Sequence, residues 1–361
     1  MTPLDYNKST MNRPLSSLLQ QTTSAVDDYL TTTIQQRINE AGALHPSYKQ
    51  FWENVLDITT HGGKRFRPYL TMVGYGSFSE DIVPIAAAQE FIHTAMLVHD
   101  DVIDQDTIRR GHKNISGLYT DKYEPLLSKA SARHYADSVA IIAGDALISE
   151  AFIAVSSSSL SPDLIRKITA RLQVSIFEVI GGELMDVEAA FIKDVIYDPL
   201  AVYRYKTAGY GFIGPLLAGA YCAGASEKDC QTLEAFGWAI GIAFQLQDDL
   251  LGVFGDQEAT GKSTLSDLRE AKATKLIEAH KEKMNPEQAS RFASLFGDND
   301  ADEAQLEILK ADLIDSGARE EVEALCKAYY TQAVSTLPSL SSEAQQDELQ
   351  QLADTLMGRE S

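Results

Sequence analysis

Twice in this chain a long apolar helical stretch ends in a pair of adjacent aspartates, and no other feature limits the fold as strongly. The first stretch starts at Pro84, suited to a first helical turn, and places Ile85, Ala88, Phe91/Ile92 and Ala95/Met96 at helical spacing. It runs into HDDVIDQDTIRRG, residues 99–111. The second places Leu233, Phe236/Gly237, Ile240/Gly241 and Phe244/Gln245 on one face and runs into FQLQDDLLGVFGD, residues 244–256. Helices with apolar faces this wide need partners of the same kind to bury them. No segment shows convincing strand alternation, a long linker or a short-period repeat. The expectation is an all-α, single-domain helical bundle with its site in the central cavity at the bundle mouth.

The aspartates say what such a site would hold. In a helix, positions i and i+4 lie one above the other, so Asp100 and Asp104 point at a common spot. Two bare carboxylates there repel, and a divalent cation between them removes the repulsion. Oxygen-only ligands suit Mg²⁺, which keeps several waters and takes one or two carboxylates plus phosphate oxygens. Arg109 and Arg110, just beyond, supply planar bidentate donors for phosphate. A solvated acidic helix end would account for one such motif. The second pair, Asp248 and Asp249, weakens that explanation, because two acidic ends facing each other can hold several Mg²⁺ ions against one diphosphate. Upstream, HGGKRFRP at residues 61–68 combines Gly62 and Gly63 with Lys64, Arg65 and Arg67 before a helix start near Pro68, the makings of an anion site. Taken alone, a basic turn of this kind is more often plain surface, and His93 is more often a core histidine.

Composition removes competing classes. Against 52 acidic residues stand 31 basic ones, a formal charge of −21, so no general basic surface exists for nucleic acid. Cys222, Cys230 and Cys326 are odd in number and lack metal-ligand spacing, which reads as reduced packing cysteines in a cytoplasmic protein. The N-terminal MTPLDYNKST has no apolar signal core. Residues 207–226 carry no charge but hold five glycines and Pro215, so a buried helix packed through small residues is expected there, and no transmembrane segment. The expected layout is a polar, frayed N-terminus over 1–20 and one domain over 21–361. Within it, helices are expected from Leu18 to Ile38 and from Phe51 to Thr60. A polar loop is expected over 112–130, a helix capped by Ser161 with Pro162 at its first position, and a polar flap over 260–272.

The four motifs GGKRFRP, HDDVIDQDTIRRG, KTAG and FQLQDDLLGVFGD, in this order and at these separations, resemble a trans-polyprenyl (isoprenyl) diphosphate synthase, over about residues 50 to 280. The resemblance implies a Mg²⁺-dependent prenyltransferase that joins isopentenyl diphosphate head-to-tail to an allylic diphosphate (dimethylallyl, geranyl or farnesyl), usually as a homodimer. It implies that Asp100, Asp104 and Asp248 carry three Mg²⁺ ions on the allylic diphosphate, with Asp101 and Asp249 as supporting carboxylates. Arg109, Lys206 and Lys262 correspond to cations that clamp the same diphosphate. Lys64, Arg67, His93 and Arg110 correspond to the metal-free isopentenyl site, and Thr207 and Gln245 to polar groups facing the reacting carbons. Two departures stand out. Many members have aspartate at the fifth position of the second motif, where this chain has Gly252, with Asp256 four residues on. Gly182–Glu183 stands where Gly–Gln is common, while Asp186 matches a nearby acidic position.

A class I terpene cyclase would share the fold and the first acidic motif but would lack the second Asp pair and GGKRFRP. A non-catalytic subunit of a heteromeric synthase would have lost one Asp motif or the basic residues. For product length, Ala95 and Met96 leave the level below Asp100 open, and Phe91 stands one turn deeper. The expected product is geranylgeranyl diphosphate (C20), with farnesyl (C15) and longer chains as the alternatives.

Overall fold

The structure, a computed structural model, describes residues 17–192, 197–255, 265–298 and 300–358. In chain order its helices are α1 (Ser17–Leu44), α2 (Pro46–Thr60), α3 (Phe66–Tyr75), α4 (Val83–Ile103), α5 (Ile115–Tyr123), α6 (Lys129–Ser156), α7 (Pro162–Phe191) and α8 (Pro199–Val202). A π-helix (Tyr203–Ile213) leads into α9 (Gly214–Cys222) and α10 (Glu227–Phe254). The chain then runs through α11 (Ser266–Arg269), α12 (Lys275–Lys283), α13 (Pro286–Leu295), α14 (Glu303–Asp315), α15 (Ala318–Thr336) and α16 (Glu343–Met357). The all-α expectation holds. Packing separates two compact units, Ser17–Val174 with Gly214–Ser226, and Ser175–Ile213 with Glu227 onward.

The first unit is built on α4. Ile85, Ala86, Ala87, Ala88, Phe91, Ile92, Ala95 and Val98 are all buried, and so are Gln89, Glu90 and Thr94, so the helix takes neighbours on every side. Helices α1, α3, α6 and α9 pack on it. Helix α1 contributes Val26, Leu30, Ile34 and Ile38, a stripe repeating every four residues. Each large side chain of that stripe adds roughly 1.5–3 kcal/mol through burial. Helices α3 and α9 meet backbone to backbone. A Cβ on Gly74 would lie 2.1 Å from the Leu216 carbonyl oxygen, and one on Gly219 would lie 1.9 Å from that of Thr71. The second half of the uncharged stretch 207–226 is thus buried through its small residues, as expected.

The second unit is built on α10, whose Leu233, Phe236, Ile240, Ala243, Leu246 and Leu250 are buried. Its glycines set the distance to the π-helix: a Cβ on Gly241 would lie 2.6 Å from Cβ of Ala208, and one on Gly237 3.1 Å from Ile213. Across the other face, Cys326 of α15 donates its S–H to the Ala243 carbonyl at 3.3 Å, and all three cysteines are free thiols.

Several sequence expectations need correction. The polar loop at 112–130 contains α5, capped by Asn114, whose side chain accepts the Gly117 amide at 2.8 Å. Ahead of it, Ile108–Arg109 pairs antiparallel with His112–Lys113, a two-residue ribbon where no strand was expected. Arg110 (φ 53°) and Gly111 (φ 77°) connect the strands with positive φ at both turn positions, the requirement of a tight hairpin whose twist matches its strands. Helices α1 and α2 are longer than expected, whereas Ser161 caps α7 as foreseen, accepting from the Leu164 amide. The opening of the 207–226 stretch is a π-helix that begins at Tyr203, ahead of it. By length and composition alone, Glu80–Ile103 and Lys129–Ser156 could each cross a membrane, and 72% and 44% of their apolar windows are buried inside the fold.

Candidate active site

In the first unit, α4 ends at Ile103 and Asp104 follows with helical φ and ψ, its amide donating to the Asp100 carbonyl at 2.8 Å. Asp100 and Asp104 therefore keep the i, i+4 alignment. The Asp104 side chain is exposed and that of Asp100 is 25% exposed. Asp101 turns the other way and is buried, with one carboxylate oxygen lacking a hydrogen bond among the described residues. The hairpin delivers Arg109 to it: Nε donates to Asp101 Oδ1 at 2.7 Å, Nη2 lies 2.6 Å from the same oxygen, and Asp100 is 3.5 Å away. Burial pushes the Asp101 carboxyl above the ordinary aspartate range, and the Arg109 hydrogen bond opposes that.

The basic turn divides its work in a way the sequence concealed. Arg65 does not join Lys64 and Arg67 as a surface cation. It caps α3 in the left-handed region (φ 47°), and this turns its side chain inward. There Nε donates to Asp27 at 2.6 Å, Nη1 to Glu90 at 2.8 Å and Nη2 to the Thr59 carbonyl at 2.9 Å. A left-handed arginine is costly and persists only where its surroundings hold it. Arg110, also left-handed, lies over the Gly62–Gly63 turn and donates to the His61 carbonyl at 3.2 Å. A Cβ on Gly63, itself at φ 104°, would stand 3.1 Å from the Arg110 guanidinium. Lys64 is exposed and Arg67 half-buried. His93 lies two turns back from Asp100 on α4. Burial pushes its imidazole well below the ordinary value, and Arg67, Arg110, Arg109 and Arg65 push in the same direction. Burial likewise lowers Arg110, and the other three arginines add to the effect. Positive charge is crowded here, which favours a bound anion.

In the second unit a hydrogen-bonded chain joins the π-helix to α10. Thr207 Oγ1 donates to Gln245 Oε1 at 2.9 Å, and Gln245 Nε2 donates to Asp249 Oδ1 at 3.0 Å. The Tyr203 hydroxyl donates to Asp249 Oδ2 and accepts the Lys275 amide at 2.7 Å. Asp249 is buried, and its carboxyl is pushed up to about 8, with burial the main cause. Asp248, next to it, is half-buried. Lys206 Nζ sits 2.6 Å from Asp186 and 3.0 Å from Glu183. Gly182 permits this approach, since a Cβ there would meet the Lys206 amide nitrogen at 2.3 Å.

Each unit thus gathers part of the expected set. His93, Arg67, Arg109 and Arg110 interact in one, and Asp186, Lys206, Thr207, Gln245 and Asp249 in the other. Ala95 and Phe91 are fully buried on α4 and Met96 half-buried. Lys262 and Asp256 lie outside the described residues. Three participants were not singled out as site residues in the sequence: Tyr203, Glu183, which was noted only as a departure from Gly–Gln, and Asp267, the last against Gly252. The i, i+3 spacing of Glu183 and Asp186 was a signal for one of them; nothing local marks Tyr203 or Asp267. Asp100, Asp104 and Asp248 offer oxygen alone, and among the described residues no three His, Cys, Asp or Glu side chains close on one point. That donor set fits an ion that takes few protein ligands and completes its shell with water and phosphate oxygens.

A sequence profile for polyprenyl synthetase matches residues 49–313. A short chain isoprenyl diphosphate synthase of Methanothermobacter thermautotrophicus is 31% identical over 310 residues, 84% of this chain and 88% of that protein. The geranylgeranyl diphosphate synthase of Sulfolobus acidocaldarius is 30% identical over 329 residues, 88% of this chain and 94% of that protein. Among solved structures, geranylgeranyl pyrophosphate synthase from Corynebacterium glutamicum, complexed with isoprenyl diphosphate and magnesium, is similar with a TM-score of 0.88 and 28% identity. That match covers 96% of this chain and 100% of that one.

Proposed function

The chain belongs to the polyprenyl synthetase family and is a prenyltransferase, and from that premise we propose that it joins isopentenyl diphosphate to an allylic diphosphate to make geranylgeranyl diphosphate. The observation that carries the reading lies on α4. Its end presents Asp100 and Asp104, and two turns back His93 stands among arginines whose charges crowd one another. One helix therefore offers a place for a cation-borne diphosphate and a place for a metal-free one.

In this reading Asp100 and Asp104 at the end of α4 would hold Mg²⁺, as would Asp248 at the end of α10, with three ions in all implied by the resemblance. Bound there, Mg²⁺ supplies the positive charge that lets the allylic diphosphate depart. Arg109 and Lys206 orient that diphosphate by charge-assisted hydrogen bonds, Lys262 is assigned with them, and Asp101 fixes Arg109 for the task. Lys64, Arg67, His93 and Arg110 bind isopentenyl diphosphate. When the allylic C–O bond breaks, its electron pair leaves with the diphosphate and a carbocation remains. The Thr207 and Gln245 oxygens face it and stabilise it without forming a bond. The isopentenyl double bond adds to the cation, and loss of a proton to the released diphosphate completes the step.

The C20 product rests on Ala95 and Phe91. A chain growing down the apolar face of α4 meets Ala95 first, then Phe91, one turn and about 6 Å further. Ala95→Phe is expected to shorten the main product to C15 and Phe91→Ala to lengthen it, read by chromatography of the dephosphorylated products. An unchanged length distribution in Ala95→Phe would show that the chain does not pass residue 95. We further propose a cytoplasmic homodimer. Supporting it, α7 exposes Phe177 (81%), Ile180, Leu184 and Phe191 along one side, and α6 exposes Ile141, Ile142 and Ile153, apolar surface of the kind subunit interfaces cover.

A further inference from the structure

Between Lys64 and Arg67, both assigned above to isopentenyl diphosphate, stands Arg65, whose guanidinium faces inward. It uses its donors on three separate helices. Nε donates to Asp27 of α1 at 2.6 Å, Nη1 to Glu90 of α4 at 2.8 Å, and Nη2 to the Thr59 carbonyl, in the last turn of α2, at 2.9 Å. The Arg65 carbonyl accepts the Tyr69 amide at 3.0 Å at the head of α3. One residue therefore joins four helices, from a left-handed backbone that its surroundings must hold in place. The same guanidinium borders the basic turn: a Cβ on Gly63 would stand 3.2 Å from Arg65 Nη1 and 3.1 Å from Arg110 Nη1. Two guanidiniums this close need a counter-charge, and Glu90, buried one turn before His93 on α4, supplies it. Asp27 is the open end of the network. Its side chain is 42% exposed, against 2% for Arg65, and it lies ahead of the residues, 49–313, that the polyprenyl synthetase profile matches.

From these contacts we infer that Asp27, on the N-terminal helix, is a positioning residue for the isopentenyl diphosphate site, acting through Arg65 on the turn that carries Lys64 and Arg67. Gly62 (φ 71°) and Gly63 (φ 104°) give that turn little shape of its own, so its path depends on what grips the residue after Lys64. Glu90 and Thr59 hold one edge of the Arg65 guanidinium, and Asp27 holds Nε, the atom nearest the chain. Without Asp27 the buried arginine keeps its counter-charge, but the turn is less firmly set. The entropy of ordering Lys64 and Arg67 then falls on substrate binding. The inference rests on the reading of Lys64 and Arg67 as isopentenyl diphosphate residues, and the test separates the two.

Steady-state kinetics of the full chain, with each diphosphate varied while the other saturates, separate positioning from plain structural support. Alanine suits the interior of α1, so Asp27→Ala removes the acceptor without weakening the helix. It is expected to raise KM for isopentenyl diphosphate roughly fivefold, leaving kcat and the allylic KM within about twofold and the melting temperature only slightly lower. Asp27→Glu restores a carboxylate at a partly open position and is expected to return that KM to within about twofold of wild type. Arg67→Ala serves as the control and is expected to raise the same KM selectively. If Arg67→Ala does so while Asp27→Ala leaves it unchanged, Asp27 does not position the turn and the inference fails alone. If Asp27→Ala raises both KM values alike, or Asp27→Glu stays as weak as Asp27→Ala, the inference also fails. If Arg67→Ala raises only the allylic KM, the isopentenyl reading of the turn falls, and the inference with it.

Discussion

The ends of α4 and α10 carry the same two letters, Asp-Asp, and bury the second aspartate in opposite ways. At α4 the buried Asp101 stays beside a cation, Arg109, at 2.6 Å. At α10 the buried Asp249 is held by neutral partners instead. It accepts from Gln245 and Tyr203, and its carboxyl is pushed up to about 8. Burying a carboxylate is expensive, and a protein can either pair the charge or let it take a proton. One end uses each solution. The lesson is a division inside the pair: the first aspartate is the more exposed member, and the second is structural, tying the helix end to its surroundings.

The sharpest test of that division is to remove the outward member of each pair. Asp100→Ala and Asp248→Ala are each expected to lower kcat by about a hundredfold or more, with little change in melting temperature. A loss at one end only would mean that the ends are not functionally equivalent. Next in size is the pairing of Asp101. Arg109→Met leaves that carboxylate buried and unpaired and is expected to cost about 3 kcal/mol of stability in denaturant unfolding. Tyr203→Phe removes one hydrogen bond from Asp249, whose raised carboxyl favours the protonated form, and is expected to cost only about 1 kcal/mol. Equal costs would show that Asp249 is ionised in the folded protein. The smallest effect is one of pH. Because the folded carboxyl of Asp249 sits above its unfolded value, the folded state holds a proton that the unfolded state releases. Its contribution is complete below the ordinary aspartate value and is lost as pH rises to about 8. In magnesium-free buffer Asp249→Asn is therefore expected to show a shallower fall in melting temperature between pH 5 and 8 than wild type. Parallel curves would rule the raised carboxyl out.

Most of the scaffold was legible because its signals are local. The spacing from Ile85 to Met96 fixed α4, and Asp100 and Asp104 follow from its period. Gly237 and Gly241 sat on the correct face of α10. What stayed hidden depended on contacts far apart in sequence or on backbone geometry that residue type does not announce. Arg65 reads as a surface cation until its left-handed φ turns it to Asp27 and Glu90. The α5 helix was hidden by the polar residues around it, although Asn114 was available as a cap. Tyr203 and Asp267 acquire their partners only when separate helices are brought together. Gly252, which looked like a departure from pattern, makes sense only with Asp267 above it.

The π-helix has a consequence for how such a protein can diverge. Eleven residues, Tyr203–Ile213, are wound with wider turns than the α-helix that follows. Its far end is seated on α10 through Ala208 and Ile213, against Gly241 and Gly237. Inserting one residue between Thr207 and Ala208 would swing Lys206 and Thr207 by roughly a quarter turn around the axis while leaving those seats in place. Natural variation by insertion or deletion here would redirect two side chains at once and leave the core intact. A descendant lineage could thus alter its chemistry by changing length at this one point, with no substitution at either residue.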